Sequence, residues 1–288
     1  MIDLIIPTLS QGLLWSLLAL GVYITFRVLV FADMTVEGSF PLGAAICVYF
    51  LIRDHHPLLA LLAAGLLGIV TGLLHTKLRI PSLLAGILSM IALYSVNLRI
   101  MGKANVSLLG KETAFTYMET LGLDYAQSVF IVGLLATVVI GTLIYWFFGT
   151  EIGAAIRATG FNPQMIRAQG IDTNVMLLLG LFLSNALTAM AGAFIGMNNG
   201  FFDVGMGVGT IVIGLASVII GEVLFGTRSF KNSLVSVILG SIVYRFVIAI
   251  VLQMGMPPND LKLFTSVLVV IALALPMMRD KVQRRKVG

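Results

Sequence analysis

Long apolar runs with almost no charged residues fill most of this chain, and they restrict its fold more than any other feature. Charged residues make up only 11% of the 288 residues, whereas a soluble domain typically has about 25%. A helix that crosses the hydrocarbon core of a bilayer needs about 20 consecutive apolar residues. Nine runs approach that length, at about 8–31, 38–52, 57–75, 81–101, 126–148, 174–197, 209–226, 232–254 and 261–278. The sequence therefore predicts an all-α fold, a polytopic transmembrane helical bundle of about nine spans.

The second run differs from the others because it is short and contains Gly38, Pro41 and Gly43. Such residues interrupt membrane helices where neighbouring elements satisfy the freed backbone groups. We therefore expect a broken or tilted second helix. The apolar runs account for nearly the whole chain, so residues 1–288 are expected to form a single transmembrane domain.

The distribution of Lys and Arg predicts the side of the membrane that each connection faces, because these residues are enriched on the cytoplasmic side. With the C-terminus in the cytoplasm, 12 of the 18 cations fall inside. These twelve are Arg27, Lys77, Arg79, Arg157, Arg167, Arg228, Lys231, Arg279, Lys281, Arg284, Arg285 and Lys286. The sequence thus predicts a cytoplasmic C-terminus and an external N-terminus. The basic tail, residues 279–288, fits an anchor against anionic lipid, and no nucleic-acid binding is expected.

Two polar connections are long for a compact membrane bundle. The external one, about 102–127, could dock a partner outside the cell or could be a solvated crossover. The cytoplasmic one, about 150–173, has helical periodicity interrupted at Gly160 and Pro163, which predicts two short helices with a turn between them. It could fit the groove of a soluble partner, or it could be an amphipathic helix that lies in the membrane interface.

Asp33, Glu37 and Arg245 are ionisable residues at or within apolar runs, where charges are costly and usually face the bundle interior or a water-filled path. Asp33 and Glu37 are four residues apart and would share a helical face. One hypothesis is that they bind the ammonium group of a solute, or that one of them pairs with Arg245. The alternative is that the carboxylates cap the broken helix and that Arg245 satisfies backbone carbonyls.

Uncharged polar residues on the runs include Asn97, Asn185 and Thr188. Hydrogen bonds between helices are the default role of such groups in a membrane bundle, and a contact with a solute is the alternative. No catalytic residue is predicted, since the chain lacks the G-x-x-x-x-G-K-[ST], H-E-x-x-H and G-x-S-x-G patterns. One Cys and three His are too few to indicate a metal cluster. We expect this chain to bind no cofactor.

The cytoplasmic connection resembles a known segment. Its glycines, Arg157-Ala158 and Asn162 are spaced as in the coupling segment of bacterial ABC importer permeases of the branched-chain amino acid and ribose-type superfamily. The basic turn Thr76–Pro81 and the stretch Asp33–Gly38 are also similar to elements of that superfamily. The ATPase-coupling residues that the resemblance implies are Glu151, Gly153, Arg157, Ala158, Gly160, Asn162 and Gly170.

The resemblance implies a permease in a bacterial cell membrane that works as a homodimer with two ATPase subunits, which would hold ATP and Mg²⁺. A lipoprotein-type binding protein would deliver the solute from outside. The chain looks most like the smaller permeases of this type, whose implied solutes are aromatic or branched-chain amino acids. Glu37 precedes Gly38 where the sugar-type pattern has Gly directly, and the His of the amino acid pattern is absent. The solute class therefore cannot be inherited from either branch, and a sugar importer is an alternative. A second alternative is a secondary transporter that works without ATP and uses Asp33 and Glu37 for ion coupling.

Overall fold

The computed structural model describes residues 2–52, 70–108, 113–119, 122–257, 260–261, 263–267 and 269–270. Most of these residues are helical, as the apolar runs predict. The helices are α1 (Ile2–Tyr23), α2 (Val36–Ile52), α3 (Ser82–Met101), α4 (Ala114–Glu119), α5 (Tyr125–Gly149), α6 (Glu151–Phe161), α7 (Pro163–Ala168), α8 (Thr173–Asn199), α9 (Thr210–Phe225) and α10 (Phe230–Gln253). Residues 70–78 are also helical.

Within the described residues, six helical segments are long and apolar enough to cross a membrane. They are Ile5–Val28, Ser82–Met101, Tyr125–Gly149, Thr173–Asn199, Val204–Phe225 and Phe230–Gln253, and the apolar segment Val36–Leu51 is shorter. The transmembrane helical bundle is therefore confirmed, but a total of nine spans is not supported. The predicted runs at about 57–75 and 261–278 lie largely outside the described residues, as does the basic tail.

The break near the second run lies before α2 rather than inside it. Helix α1 continues through a π-helical turn, Ile24–Val28, and the chain is then irregular until α2 begins at Val36. Helix α2 is continuous through Pro41, so of the two expected forms, broken or tilted, a break within this run is absent from the described helix. Its glycines serve packing instead, since a Cβ atom on Gly43 would lie 1.9 Å from the carbonyl oxygen of Ala189 on α8. The small residue lets the two helices approach closely.

Helix α1 is the centre of the bundle. It packs against α5, α8, α9 and α10, while α2 packs between α3 and α8. In the most apolar 18-residue stretch of the first span, 72% of the residues are buried, compared with 28% in the corresponding stretches of α3 and α5. Both α3 and α5 therefore present much of their apolar surface to their surroundings.

A small sheet joins the ends of α3 and α8. Strand β1 (Asn105–Ser107) pairs with β2 (Phe201–Asp203) in antiparallel register, with Val106 opposite Phe202. A polar connection was expected at about 102–127, and the strand within it was not predicted. A 3₁₀ turn, Val204–Gly207, follows β2 and packs against α2. This turn brings the connection before α9 to the start of α2, where Glu37 lies.

Candidate functional site

Five polar side chains meet at the start of α2, and we call them the central cluster: Asp33, Thr35, Ser39, Thr71 and Asn185. All five are almost completely buried. One carboxylate oxygen of Asp33 accepts a hydrogen bond from the backbone N–H of Thr35 (2.9 Å), and the other accepts from Nδ2 of Asn185 (2.9 Å). The hydroxyl of Ser39 donates to Oδ1 of Asn185, and the hydroxyls of Thr35 and Thr71 lie 2.7 Å apart.

The central cluster stabilises the irregular backbone between α1 and α2. Asn185 lies near the middle of α8 and also donates to the carbonyl of Leu181 (3.0 Å). Irregular backbone at such a depth is tolerated where protein groups satisfy it. The bond from the Thr35 N–H to Asp33 is the contact that the capping hypothesis requires.

Arg245 lies apart from the two carboxylates. Its guanidinium carbon is 4.0 Å from the centroid of the Trp15 ring, which in turn stacks on Phe40 at 5.5 Å. Its Nε atom is buried and has no hydrogen-bond partner among the described residues. Among the described residues, Arg245 therefore contacts the face of an aromatic ring, whereas Asp33 accepts hydrogen bonds from Thr35 and Asn185.

A pocket of about 400 Å³, which we call the outer pocket, lies between α2 and α3. It is lined by Glu37, Gly38, Pro41, Met90, Ile91, Tyr94, Ser95, Asn97, Val204 and Val208. Glu37 is half-buried, and its Oε1 accepts a hydrogen bond from the backbone N–H of Gly209 (3.0 Å). The predicted residues Glu37 and Asn97 thus line the same pocket, while Asp33 and Asn185 belong to the central cluster.

Asn97 is the least satisfied polar residue of the outer pocket. Its Nδ2 donates to the carbonyl of Gly38 (3.1 Å), but its Oδ1 is buried and has no partner among the described residues. A buried acceptor without a donor costs about 1–3 kcal/mol. Such a group calls for an explanation, and a donor from outside the chain is one. The adjoining cavity, of about 660 Å³, shares Ser95 and contains Arg99, which we had not predicted as a site residue.

Thr188 takes part in helix packing. Its hydroxyl donates to the carbonyl of Ser184 one turn earlier (3.0 Å). The hydroxyl of Ser184 donates to the carbonyl of Gly21 on α1 (2.8 Å). These contacts join α8 to α1, and Thr188 is not among the residues that line the outer pocket.

The connection at about 150–173 forms the two short helices that its sequence predicts. Thr150 caps α6 by accepting a hydrogen bond from the N–H of Gly153 (3.3 Å), and Asn162 caps α7 by accepting from the N–H of Met165 (3.1 Å). Pro163 occupies the first position of α7, where a missing N–H has no cost. The local sequence therefore sets both helix starts.

The predicted coupling residues divide between two faces of this segment. Gly153 is buried, and Ala158 and Gly160 are half-buried. A Cβ atom on Gly160 would lie 1.8 Å from the carbonyl oxygen of Val28, so Gly160 holds α6 against the end of the first span. The exposed members are Glu151, Arg157, Asn162 and Gly170.

Phe161 is the most exposed large apolar residue of the coupling segment, and sequence reasoning missed it. Its side chain is 92% exposed at the end of α6. A Phe in an amphipathic pattern is expected to face inward, so the exposure of Phe161 could be identified only from the orientation of the helix in the structure. Near this segment, Arg27 at the end of the first span forms an ion pair with Glu222 of α9.

Comparison with known proteins identifies the family. The sequence matches the family model of the branched-chain amino acid transport system permease component over residues 4–274. It is 39% identical over 274 residues to the tyrosine transport system permease protein of Clostridioides difficile, covering 94% of this chain and 90% of that protein. It is 32% identical over 284 residues to an uncharacterized protein of Rickettsia prowazekii, covering 96% of this chain and 99% of that protein. No solved structure matches the chain significantly.

These matches agree with the resemblance stated for residues 150–173, and they cover both the outer pocket and helices α6 and α7. A permease component transports a solute and has no catalytic centre of its own. The chain therefore belongs to the family of branched-chain amino acid transport system permeases, as the multi-pass membrane subunit of an ABC importer for amino acids.

Proposed function

We propose that this permease imports an aromatic amino acid and that the outer pocket is part of its solute pathway. The observation that carries the proposal is the buried, unpartnered Oδ1 of Asn97, which lines a pocket that also contains the carboxylate of Glu37. Two oxygen acceptors suit the ammonium group of an amino acid. The relative in Clostridioides difficile is named for tyrosine transport, which favours an aromatic solute.

The other residues of the cleft between α2 and α3 suit the rest of such a solute. Pro41, Met90 and Tyr94 supply apolar and aromatic surface for a side chain. Arg99 in the adjoining cavity supplies a cation for the carboxylate. A volume of about 400 Å³ is within the range of small-molecule pockets, about 300–1,000 Å³. Tyr94 is 55% exposed, so the cleft opens on a free face of α3, as expected if a second copy completes the path.

Reconstitution tests the solute class. Liposomes that contain the permease, its ATPase and its binding protein should take up tyrosine only with ATP, and leucine and ribose more slowly. Glu37→Gln should lower tyrosine uptake by about tenfold, the value of one charge-assisted hydrogen bond. Glu119→Gln, at an exposed residue of α4, is the charge-matched control. Faster uptake of ribose, or uptake driven by an ion gradient without ATP, would instead support one of the two alternatives.

The assembly we propose has two copies of this chain, two ATPase subunits that hold ATP and Mg²⁺, and an external lipoprotein-type binding protein. Each copy is one domain, residues 1–288, with about nine spans, an external N-terminus and a cytoplasmic C-terminus in a bacterial cell membrane. The family assignment supports partner components in general. The 12 cations on the predicted inner side support the orientation.

In this assembly the segment at about 150–173 meets the ATPase. Phe161 and the exposed residues Glu151, Arg157, Asn162 and Gly170 form the contact surface. Gly153, Ala158 and Gly160 hold the segment on the bundle. Because Gly160 touches Val28, a displacement of α6 would move the irregular stretch that leads to Asp33 and Glu37. This contact supports a direct mechanical connection from the ATPase to the outer pocket.

Phe161→Ser tests the coupling surface. Burial of a Phe at an interface contributes about 1.5–3 kcal/mol, so its loss should weaken ATPase binding by about tenfold or more. The measurement is the affinity of the purified permease for its ATPase. Leu78→Ser is the control, because Leu78 is 65% exposed but lies outside the segment. Equal affinities for the wild type and Phe161→Ser would exclude Phe161 from the contact.

A further inference from the structure

Two adjoining cavities lie on the surface formed by α5, α6 and α10, away from the residues of the solute pathway. The first, of about 590 Å³, is lined by Tyr145, Trp146, Phe148, Gly149, Thr150, Arg157, Ser229, Phe230 and Lys231, and we call it the head-group pocket. The second, of about 570 Å³, is the tail groove, lined by Leu13, Leu134, Thr137, Val138, Gly141, Thr142, Tyr145, Lys231, Leu234, Val235, Ile238, Leu239 and Ile242. Tyr145 and Lys231 line both, so the two cavities adjoin at these side chains.

The head-group pocket is cationic. Arg157 and Lys231 both line it, and no acidic residue is among the residues that line either cavity. The guanidinium carbon of Arg157 lies 5.0 Å from the centroid of the Phe230 ring, which fixes its position beside the pocket. Within the described part of the chain, neither cation takes part in an ion pair. The pocket therefore offers two positive charges to an anion.

The tail groove is apolar and has the length of one lipid tail. Apart from Lys231 and Tyr145 at its end, its lining is aliphatic except for two threonines and a glycine. From Leu134 to Tyr145 the chain advances 11 residues, which at 1.5 Å per residue is about 16 Å. Half of the hydrocarbon core is about 15 Å. A groove of this length matches a single leaflet.

The aromatic residues at the junction place it at the membrane surface. Trp146 is 69% exposed and Tyr145 is 49% exposed, at the end of a 25-residue apolar helix. Trp and Tyr are enriched where the hydrocarbon core meets the head groups. On the cytoplasmic side, basic pockets between helices bind anionic lipid head groups.

We propose that an anionic phospholipid of the cytoplasmic leaflet binds this site, with its phosphate at Arg157 and Lys231 and one acyl chain in the tail groove. The cations give the preference for anionic lipid, and the groove distinguishes a lipid from free phosphate. Because Arg157 belongs to α6 and Lys231 to α10, the lipid bridges the coupling segment and the bundle. The site does not depend on the identity of the transported solute.

Native mass spectrometry of the purified full chain, exchanged into defined mixtures of phosphatidylglycerol and phosphatidylcholine, tests the site. The wild type should retain phosphatidylglycerol in preference, and Arg157→Gln with Lys231→Gln should lower that retention by about tenfold or more. The charge-matched control is Lys77→Gln with Arg228→Gln, at two exposed cations outside the site, and it should retain lipid as the wild type does. Equal retention in all three proteins, or no preference over phosphatidylcholine, would overturn the proposal.

Two further variants separate the lipid from other occupants. A Cβ atom on Gly141 would meet only Ile238, at 3.6 Å, so Gly141→Phe should fill the groove and lower lipid retention without a change of charge. Inorganic phosphate should not displace the lipid, and displacement at millimolar phosphate would show a simple anion site instead. Efficient disulfide cross-linking of two copies that carry Val138→Cys would also overturn the proposal, since a second copy would then cover the groove.

Discussion

The central cluster and the outer pocket both border α2, but their polar groups are satisfied in different ways. In the central cluster, both carboxylate oxygens of Asp33 and both ends of the Asn185 amide have partners within the chain. In the outer pocket, Oδ1 of Asn97 has no partner among the described residues, although it is fully buried. The comparison separates a polar set that is satisfied within the fold from an acceptor that has no partner among the described residues and that we propose for the solute. From the sequence alone, both sets were candidates for a structural role or for one solute pathway.

The largest expected effect comes from Asp33→Leu. This change removes the acceptor of the Thr35 N–H and of Asn185 Nδ2, and each orphaned buried donor costs about 1–3 kcal/mol. We expect an unfolding free energy lower by about 2–6 kcal/mol, measured by thermal unfolding in detergent. Asp33→Asn keeps one acceptor and should lose clearly less stability. If both variants were as stable as the wild type but inactive in uptake, Asp33 would belong to the solute site and the comparison would fail.

The next largest effect is that of Asn97→Leu on transport. The variant loses the hydrogen bond from Asn97 to the Gly38 carbonyl, but it also lacks the buried acceptor that has no partner among the described residues. The unfolding free energy should therefore change by less than about 1 kcal/mol. Solute uptake should fall by about tenfold, as expected for one lost hydrogen bond to a charged group. Ser89→Ala is a close control, because the Ser89 hydroxyl is also buried and unpartnered on α3 but does not line the outer pocket. Equal uptake by both variants would remove Asn97 from the pathway.

The smallest effect on transport is expected for Ser39→Ala in the central cluster. The Ser39 hydroxyl donates to Oδ1 of Asn185, and only the bonds from Nδ2 to Asp33 and Leu181 remain in the variant. The buried Oδ1 loses its donor, so the unfolding free energy should fall by about 1–3 kcal/mol. Uptake should be unchanged. A large loss of uptake at normal stability would show that the central cluster itself contacts the solute.

Local sequence was sufficient for several features of the molecule. The apolar runs predicted the helical bundle, and Gly160, Asn162 and Pro163 predicted the turn between α6 and α7. These features depend on neighbouring residues, because a proline or a capping side chain acts within one turn. The position of the break was predicted less well. Gly38, Pro41 and Gly43 indicated a broken or tilted second helix, but α2 is continuous and the irregular backbone precedes it.

Contacts between distant segments could not be predicted. The sheet pairs Val106 with Phe202, and Arg245 lies on Trp15. No local pattern marks such pairs, since an Arg within an apolar run fits a carboxylate partner as well as an aromatic one. The exposure of Phe161 likewise follows from how α6 lies against Val28. Both the coupling surface and the lipid groove therefore required the three-dimensional structure.

By itself, the sequence determined that the chain is a membrane protein, where its long helices lie, and which residues are the exceptional charges in the apolar mass. Hydrophobicity decides these features, and it can be read one segment at a time. Only the tertiary structure decided that Asp33 is satisfied by Asn185, 152 residues away, while Oδ1 of Asn97 has no partner in the part of the chain that the structure describes. Whether a buried polar group finds a partner depends on which helices pack together, and in this bundle that packing separates structural groups from candidate solute contacts.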